Sequence, residues 1–162
     1  MRRKFNMIML DTTSNCNLRC PFCTNNWKEI SGNVNMTKET FSKGLELLPL
    51  SNNGGFFFSC GFEPTINPNF IDLLEMIPLE YKDKVFFTTN LTNKLSLETI
   101  ERLSKININN INISIESFNK ETYEFFRKNG KLEVFEENLK NITDIFSKYP
   151  NSPKIRFITM VF

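Results

Sequence analysis

Short apolar runs alternate with amphipathic stripes along this chain, and the alternation points to parallel strands joined through helices. Residues 6–11 read as a short buried strand. Thr37 opens a helix predicted over 37–48, with Phe41, Leu45 and Leu48 on one face and Pro49 as its stop. Gly54 and Gly55 precede Phe56-Phe57-Phe58, a second strand running to Cys60. Asn67-Pro68 pairs a cap with proline at the first helical position, and that helix continues through Phe70, Ile71, Leu74 and Ile77 to Pro78. Residues 84–89 give a third strand, and Ser96 caps a helix to about Lys105. Ile111, Ile113 and Ile115 alternate with Asn112 and Ser114 in a fourth strand. Asn119 opens a helix ending near Lys128, broken by Gly130, and a helical stripe follows over 132–148. Residues 154–162 form a fifth strand. Strands separated by helices need crossovers, and crossovers make them parallel.

In a parallel (β/α) barrel the loops that follow the strands gather at one mouth, where active sites sit. Here those loops hold the unusual residues. Cys16 to Cys23 follow strand one, Cys60-Gly61-Phe62-Glu63-Pro64 strand two, Thr88-Thr89-Asn90 strand three, and Ser114-Ile115-Glu116-Ser117 strand four.

Three cysteines, Cys16, Cys20 and Cys23, are spaced C-x3-C-x2-C. Thiolates are soft ligands suited to iron–sulfur clusters and zinc. Three of them can hold three irons of a cubane and leave the fourth iron open to a reactant. A structural zinc site completed by Cys60 is the rival, although zinc usually takes paired knuckles. Ferredoxin-type electron transfer would need a fourth ligand. Cys60 itself reads as a small buried residue before a turn, or less favourably as a further ligand.

Composition removes other chemistry. The chain has no histidine, which excludes Ser-His-Asp and Cys-His catalysis and HExxH zinc sites. A net charge of +2 without a run of five basic residues indicates no nucleic-acid partner. No apolar run approaches a membrane span. The basic start, Met1-Arg2-Arg3-Lys4, precedes an apolar stretch too short for a signal peptide. A cytoplasmic chain with reduced thiols is expected, and its 162 residues fit one domain.

The cysteine triplet with Phe22 before its last member resembles the radical S-adenosylmethionine (radical SAM) superfamily. Gly61-Phe62-Glu63-Pro64 resembles its GGEP segment, with Phe62 where a second glycine is usual. Thr88-Thr89-Asn90 resembles the Thr-Asn-Gly turn after strand three. Ser114-Ile115-Glu116 resembles a Ser-x-Asp pattern with glutamate in the last place. Arg127, Gly130 and the Phe135 helix resemble the following segment of SPASM-type, peptide-modifying members. The resemblance implies an α/β fold, a partial TIM-like barrel with about five parallel strands here and a sixth missing. Residues 1–162 would then be a C-terminally incomplete core domain.

The resemblance further implies a 4Fe–4S cluster on Cys16, Cys20 and Cys23, with SAM chelated at the open iron. Phe22 is assigned to the adenine, Gly61, Phe62 and Glu63 to the amino end of SAM, and Ser114 to its carboxylate. Glu116 is assigned to the ribose hydroxyls, Asn90 to SAM or substrate, and Arg127 to a bidentate grip on the SAM carboxylate. The structural alternatives are core filling for Phe22, a solvated loop carboxylate for Glu63 and a surface helix arginine for Arg127. If the isoleucines of strand four pack against helices, Ser114 and Glu116 point into the barrel. A buried Glu63 needs a cationic partner. Trp27 and Lys28 cover the cluster or line a substrate path. The partners implied are a reductant such as flavodoxin or ferredoxin and a substrate that is a peptide or protein side chain, with a small sugar or nucleoside as competitor. An apolar last strand leaves an edge open to pairing with another chain. A non-catalytic remnant that binds a cluster or a partner is the second functional class.

Overall fold

The computed structural model describes residues 4–27, 34–51, 55–58 and 61–161. The expectations placed on Lys28, Gly54, Cys60 and Phe162, and on the side chain of Trp27, lie outside the described residues. Among the described residues, five strands form one unclosed sheet in sequence order, and each neighbouring pair is parallel. They are β1 (Ile8–Leu10), β2 (Phe56–Phe58), β3 (Val85–Thr89), β4 (Asn110–Ser114) and β5 (Lys154–Ile158). The helices are α1 (Lys38–Leu45), α2 (Phe70–Glu75), α3 (Leu79–Lys82), α4 (Leu97–Lys105), α5 (Lys120–Phe126) and α6 (Leu132–Phe146). This is the α/β partial barrel that the alternation predicts.

The two-residue period of the strands separates two faces. Phe56, Phe58, Val85, Phe87, Ile111 and Ile113 join one core with Phe41, Ile100, Phe135 and Ile142 from the helices. The alternate positions form the other face. There Phe57 stacks on Phe86 with ring centroids 4.9 Å apart, and Asn110 Nδ2 donates to Asn112 Oδ1 at 2.8 Å. Ser114 belongs to this second face, as its parity against the isoleucines predicts.

Thr37, Ser96 and Asn119 cap α1, α4 and α5, each side chain accepting from a backbone N–H three residues on. Elsewhere the boundaries differ for local reasons. The helix predicted from Pro68 begins at Phe70, because Pro64–Ile66 forms a 3-10 turn and Asn67 Oδ1 accepts from Asn69 N at 2.9 Å. The helix predicted through Leu48 stops at Leu45, and Pro49 sits inside a separate 3-10 turn. Helix α3 carries no buried residue, so it left no apolar stripe to read. Beyond α5 the left-handed residue is Asn129, with φ 73°, rather than Gly130. Gly130 is required by closeness: a Cβ there would stand 2.8 Å from the Arg127 carbonyl oxygen.

Burial sets the expected cost of truncation. Phe135 is fully buried, whereas Phe125 is 69% exposed. Phe135→Ala is expected to lower unfolding free energy by about 3–5 kcal/mol, and Phe125→Ala by less than about 1 kcal/mol. Urea unfolding followed by far-UV circular dichroism measures both.

Candidate functional site

The loop after β1 turns out of the sheet through Thr12 and Thr13, both buried, and carries the cysteines. Asn67 Nδ2 holds it by donating to the Thr12 carbonyl at 2.7 Å and the Met36 carbonyl at 3.1 Å. Farther along, Arg19 Nη1 donates to the Cys16 and Leu18 carbonyls, and Arg19 N donates to the Lys128 carbonyl at 2.9 Å. The cysteine loop is thereby fastened to the turn between α5 and α6. Cys23 N donates to the Cys20 carbonyl at 3.0 Å, bending the chain between the last two sulfurs.

The loop after β2 meets the cysteine loop directly. Glu63 N donates to the Asn15 carbonyl at 3.0 Å, and Gly61 N donates to Asp11 Oδ1 at 3.2 Å. Asn25 Nδ2 donates to the Gly61 carbonyl. The Glu63 side chain turns inward, with 2% of the residue exposed. Its Oε1 accepts from Thr65 N at 3.2 Å, Thr65 Oγ1 at 2.7 Å and Thr89 Oγ1 at 2.7 Å. Its Oε2 accepts from Asn90 N at 2.7 Å. The cationic partner expected from sequence is therefore replaced here by neutral donors, and the solvated-loop alternative is excluded by burial. Those donors hold the Glu63 carboxyl down, but burial is the larger effect and pushes it above the ordinary glutamate value.

Cys16, Cys20 and Cys23 line one cavity of about 240 Å³ together with Phe22, Gly61, Phe62, Glu63, Asn90, Ser114 and Arg127. A larger hollow of about 600 Å³ lies between α4 and α6, but no cysteine reaches it. The three thiols are free, and burial, with the nearby Glu63 carboxyl adding to it, raises Cys16 to about 11. Asn90 Nδ2 lies 3.8 Å from Cys16 Sγ and donates to Asn17 Oδ1 at 2.9 Å. Among the described residues no three His, Cys, Asp or Glu side chains are grouped to hold a single metal ion. Three thiols spread around one cavity instead suit a cluster in which each iron takes its own thiolate. The donor set therefore fits an iron–sulfur group.

Glu116 is not among the residues lining the cavity, and its carboxylate turns to Arg127 instead. Arg127 is neither a surface arginine nor an open fork: it is 8% exposed. Its Nε donates to Glu116 Oε2 at 2.6 Å and its Nη2 to Glu116 Oε1 at 2.5 Å. Each buried charge answers the other. The Arg127 guanidinium also lies 5.5 Å from the Phe22 ring centroid. Phe22 is half-buried and lines the cavity. Sequence reasoning did not assign Leu18, Phe57, Thr88 and Thr89 to the site, yet all line the cavity. The legible signal was two threonines ending an otherwise apolar strand.

A cavity of thiols and buried polar groups thus lies at the C-terminal end of the parallel sheet of an α/β partial barrel. The Radical SAM superfamily matches residues 10–161, and the chain belongs to that superfamily. It is 25% identical over 152 residues to a probable GTP 3′,8-cyclase of Methanocaldococcus jannaschii, covering 88% of this chain and 47% of the relative. Streptococcus suis SuiB superposes with TM-score 0.74 at 16% identity when bound to S-adenosylmethionine, covering 96% of this chain and 34% of SuiB. In the complex of SuiB with its precursor peptide SuiA the TM-score is 0.72. BtrN in complex with AdoMet and 2-DOIA superposes with TM-score 0.68 at 18% identity, covering 98% of this chain and 58% of BtrN. This chain thus spans under half the length of the cyclase relative.

The Glu63 shift has a definite sign. A carboxyl raised in the fold contributes stability that is complete below the ordinary value of 4.5 and is lost as pH rises through the raised value. The unfolding free energy of wild type minus that of Glu63→Gln is therefore expected to fall as pH rises above the ordinary value of 4.5. Urea titrations of both proteins from below that value upward measure it.

Proposed function

We propose that this chain is the catalytic core of a radical SAM enzyme, with Cys16, Cys20 and Cys23 holding a 4Fe–4S cluster and the neighbouring cavity receiving S-adenosylmethionine. The observation that carries this is the convergence of three free thiols, buried Glu63, Asn90 and Ser114 on one cavity. Together the two cofactors supply, after one-electron reduction, a 5′-deoxyadenosyl radical that abstracts a substrate hydrogen.

The chain's own residues bind, orient and shield. Glu63 offers the only carboxylate lining the cavity among the described residues and receives the ammonium group of S-adenosylmethionine, beside the backbone of Gly61 and Phe62. Ser114 donates to its carboxylate. Phe22 packs beside the adenine, and Asn90 orients the cofactor or the substrate. Leu18, Phe57 and Phe62 give the cavity apolar walls that exclude water. Cys16 is half-buried with its thiol raised to about 11, so binding of metal would favour loss of its proton. A soluble one-electron carrier such as flavodoxin or ferredoxin would deliver the electron in the cytoplasm.

A peptide or protein side chain is the favoured substrate class, supported by the peptide-bound neighbour SuiB. A nucleotide is the second reading, favoured by the relatives named GTP 3′,8-cyclase. The rival to catalysis is a cluster-binding remnant.

Anaerobic reconstitution with iron, sulfide and reductant, followed by an assay for 5′-deoxyadenosine, separates these. Wild type is expected to load iron and release the nucleoside, and Cys16→Ser, Cys20→Ser and Cys23→Ser to lose most of the iron. Iron without nucleoside would support the remnant, and zinc without iron would overturn the proposal. Loss of a charge-assisted hydrogen bond is worth about 1.5–3 kcal/mol. Glu63→Gln is therefore expected to weaken S-adenosylmethionine binding to the reconstituted protein roughly tenfold or more, measured by equilibrium dialysis.

A further inference from the structure

The Glu116–Arg127 pair has no part in the chemistry described above, yet it stands directly behind one of the sulfurs. Its side chains are 4% exposed at Glu116 and 9% at Arg127. Glu116 takes Nε and Nη2 of the guanidinium, and the third nitrogen, Nη1, lies 3.9 Å from Cys20 Sγ. Phe22 packs against the guanidinium, and Tyr123, four residues earlier, is buried with its hydroxyl lacking a hydrogen-bond partner. A buried ion pair is weak support for stability, since its desolvation offsets much of its attraction. This pair is also directional: the positive end faces the sulfur and the negative end is held away from it. At Cys16 the corresponding donor is the neutral amide of Asn90.

We propose that Arg127 is a positioning residue that donates to the Cys20 thiolate and raises the reduction potential of the bound cluster, while Glu116 aims it and moderates its charge. The inference rests on Cys20 being a cluster ligand, as proposed above. Cluster potentials respond to net charge, hydrogen bonds to the sulfurs and solvent exposure. A positive donor at a ligating sulfur favours the reduced, more negative state. A carboxylate behind it disfavours that state.

The test is a redox titration of anaerobically reconstituted wild type, Arg127→Met, Arg127→Lys and Glu116→Gln, followed by electron paramagnetic resonance without S-adenosylmethionine. Iron and sulfide contents are measured alongside. Arg127→Met is expected to shift the one-electron equilibrium at least tenfold toward the oxidised cluster, about 59 mV more negative. Glu116→Gln is expected to shift it the opposite way, and Arg127→Lys to fall between wild type and Arg127→Met. Should Arg127→Met fail to fold, the opposite signs of Arg127→Lys and Glu116→Gln decide the matter. Unchanged midpoints, or shifts of the same sign in the arginine and glutamate variants, would overturn the inference and leave the cluster assignment standing. Wild type that loads no iron would remove the cluster assignment itself, and this inference with it.

Discussion

One buried carboxylate ties the mouth of this sheet together. Glu63 links the loops after β2 and β3 through Thr89 and Asn90, and its own backbone N–H fixes the loop after β1 through Asn15. A lone carboxylate so far from water has a high desolvation cost. Its neutral donors offset part of that cost and leave its charge uncompensated. The geometry of the cavity thus depends on this one residue. The parallel sheet brings these loops to one end, but Glu63 fixes how they meet.

The fold was legible because its apolar residues follow clean periods. The isoleucines of β4 and the stripe of α6 each mark a buried face, and short polar residues mark most helix starts. Legibility failed where local hydrogen bonding overrode pattern. Asn67 looked like a helix cap because it precedes proline, but its side chain closes a turn and its amide reaches Thr12 and Met36 instead. Helix α3 has no buried side chain, so no apolar period announced it.

The site divides along the same line. Residues that the chain places through backbone geometry, the cysteine triplet, Gly61 to Glu63 and Asn90, reach the cavity as the motif order suggests. Glu116 and Arg127, read separately in the sequence, hold each other in the structure. They lie eleven residues apart, on opposite sides of α5, and only the fold shows that they satisfy each other. Pairing between side chains distant in sequence has no signature in spacing or periodicity. Arg127 also lines the cavity.

The elevated Cys16 thiol has a consequence for the reactivity of the folded chain. Disulfide exchange and oxidation proceed through the deprotonated sulfur. With its value near 11, Cys16 holds only a trace of that form at neutral pH. In the folded chain this sulfur is therefore dormant, slow to crosslink with its two neighbours or to be spoiled by peroxide.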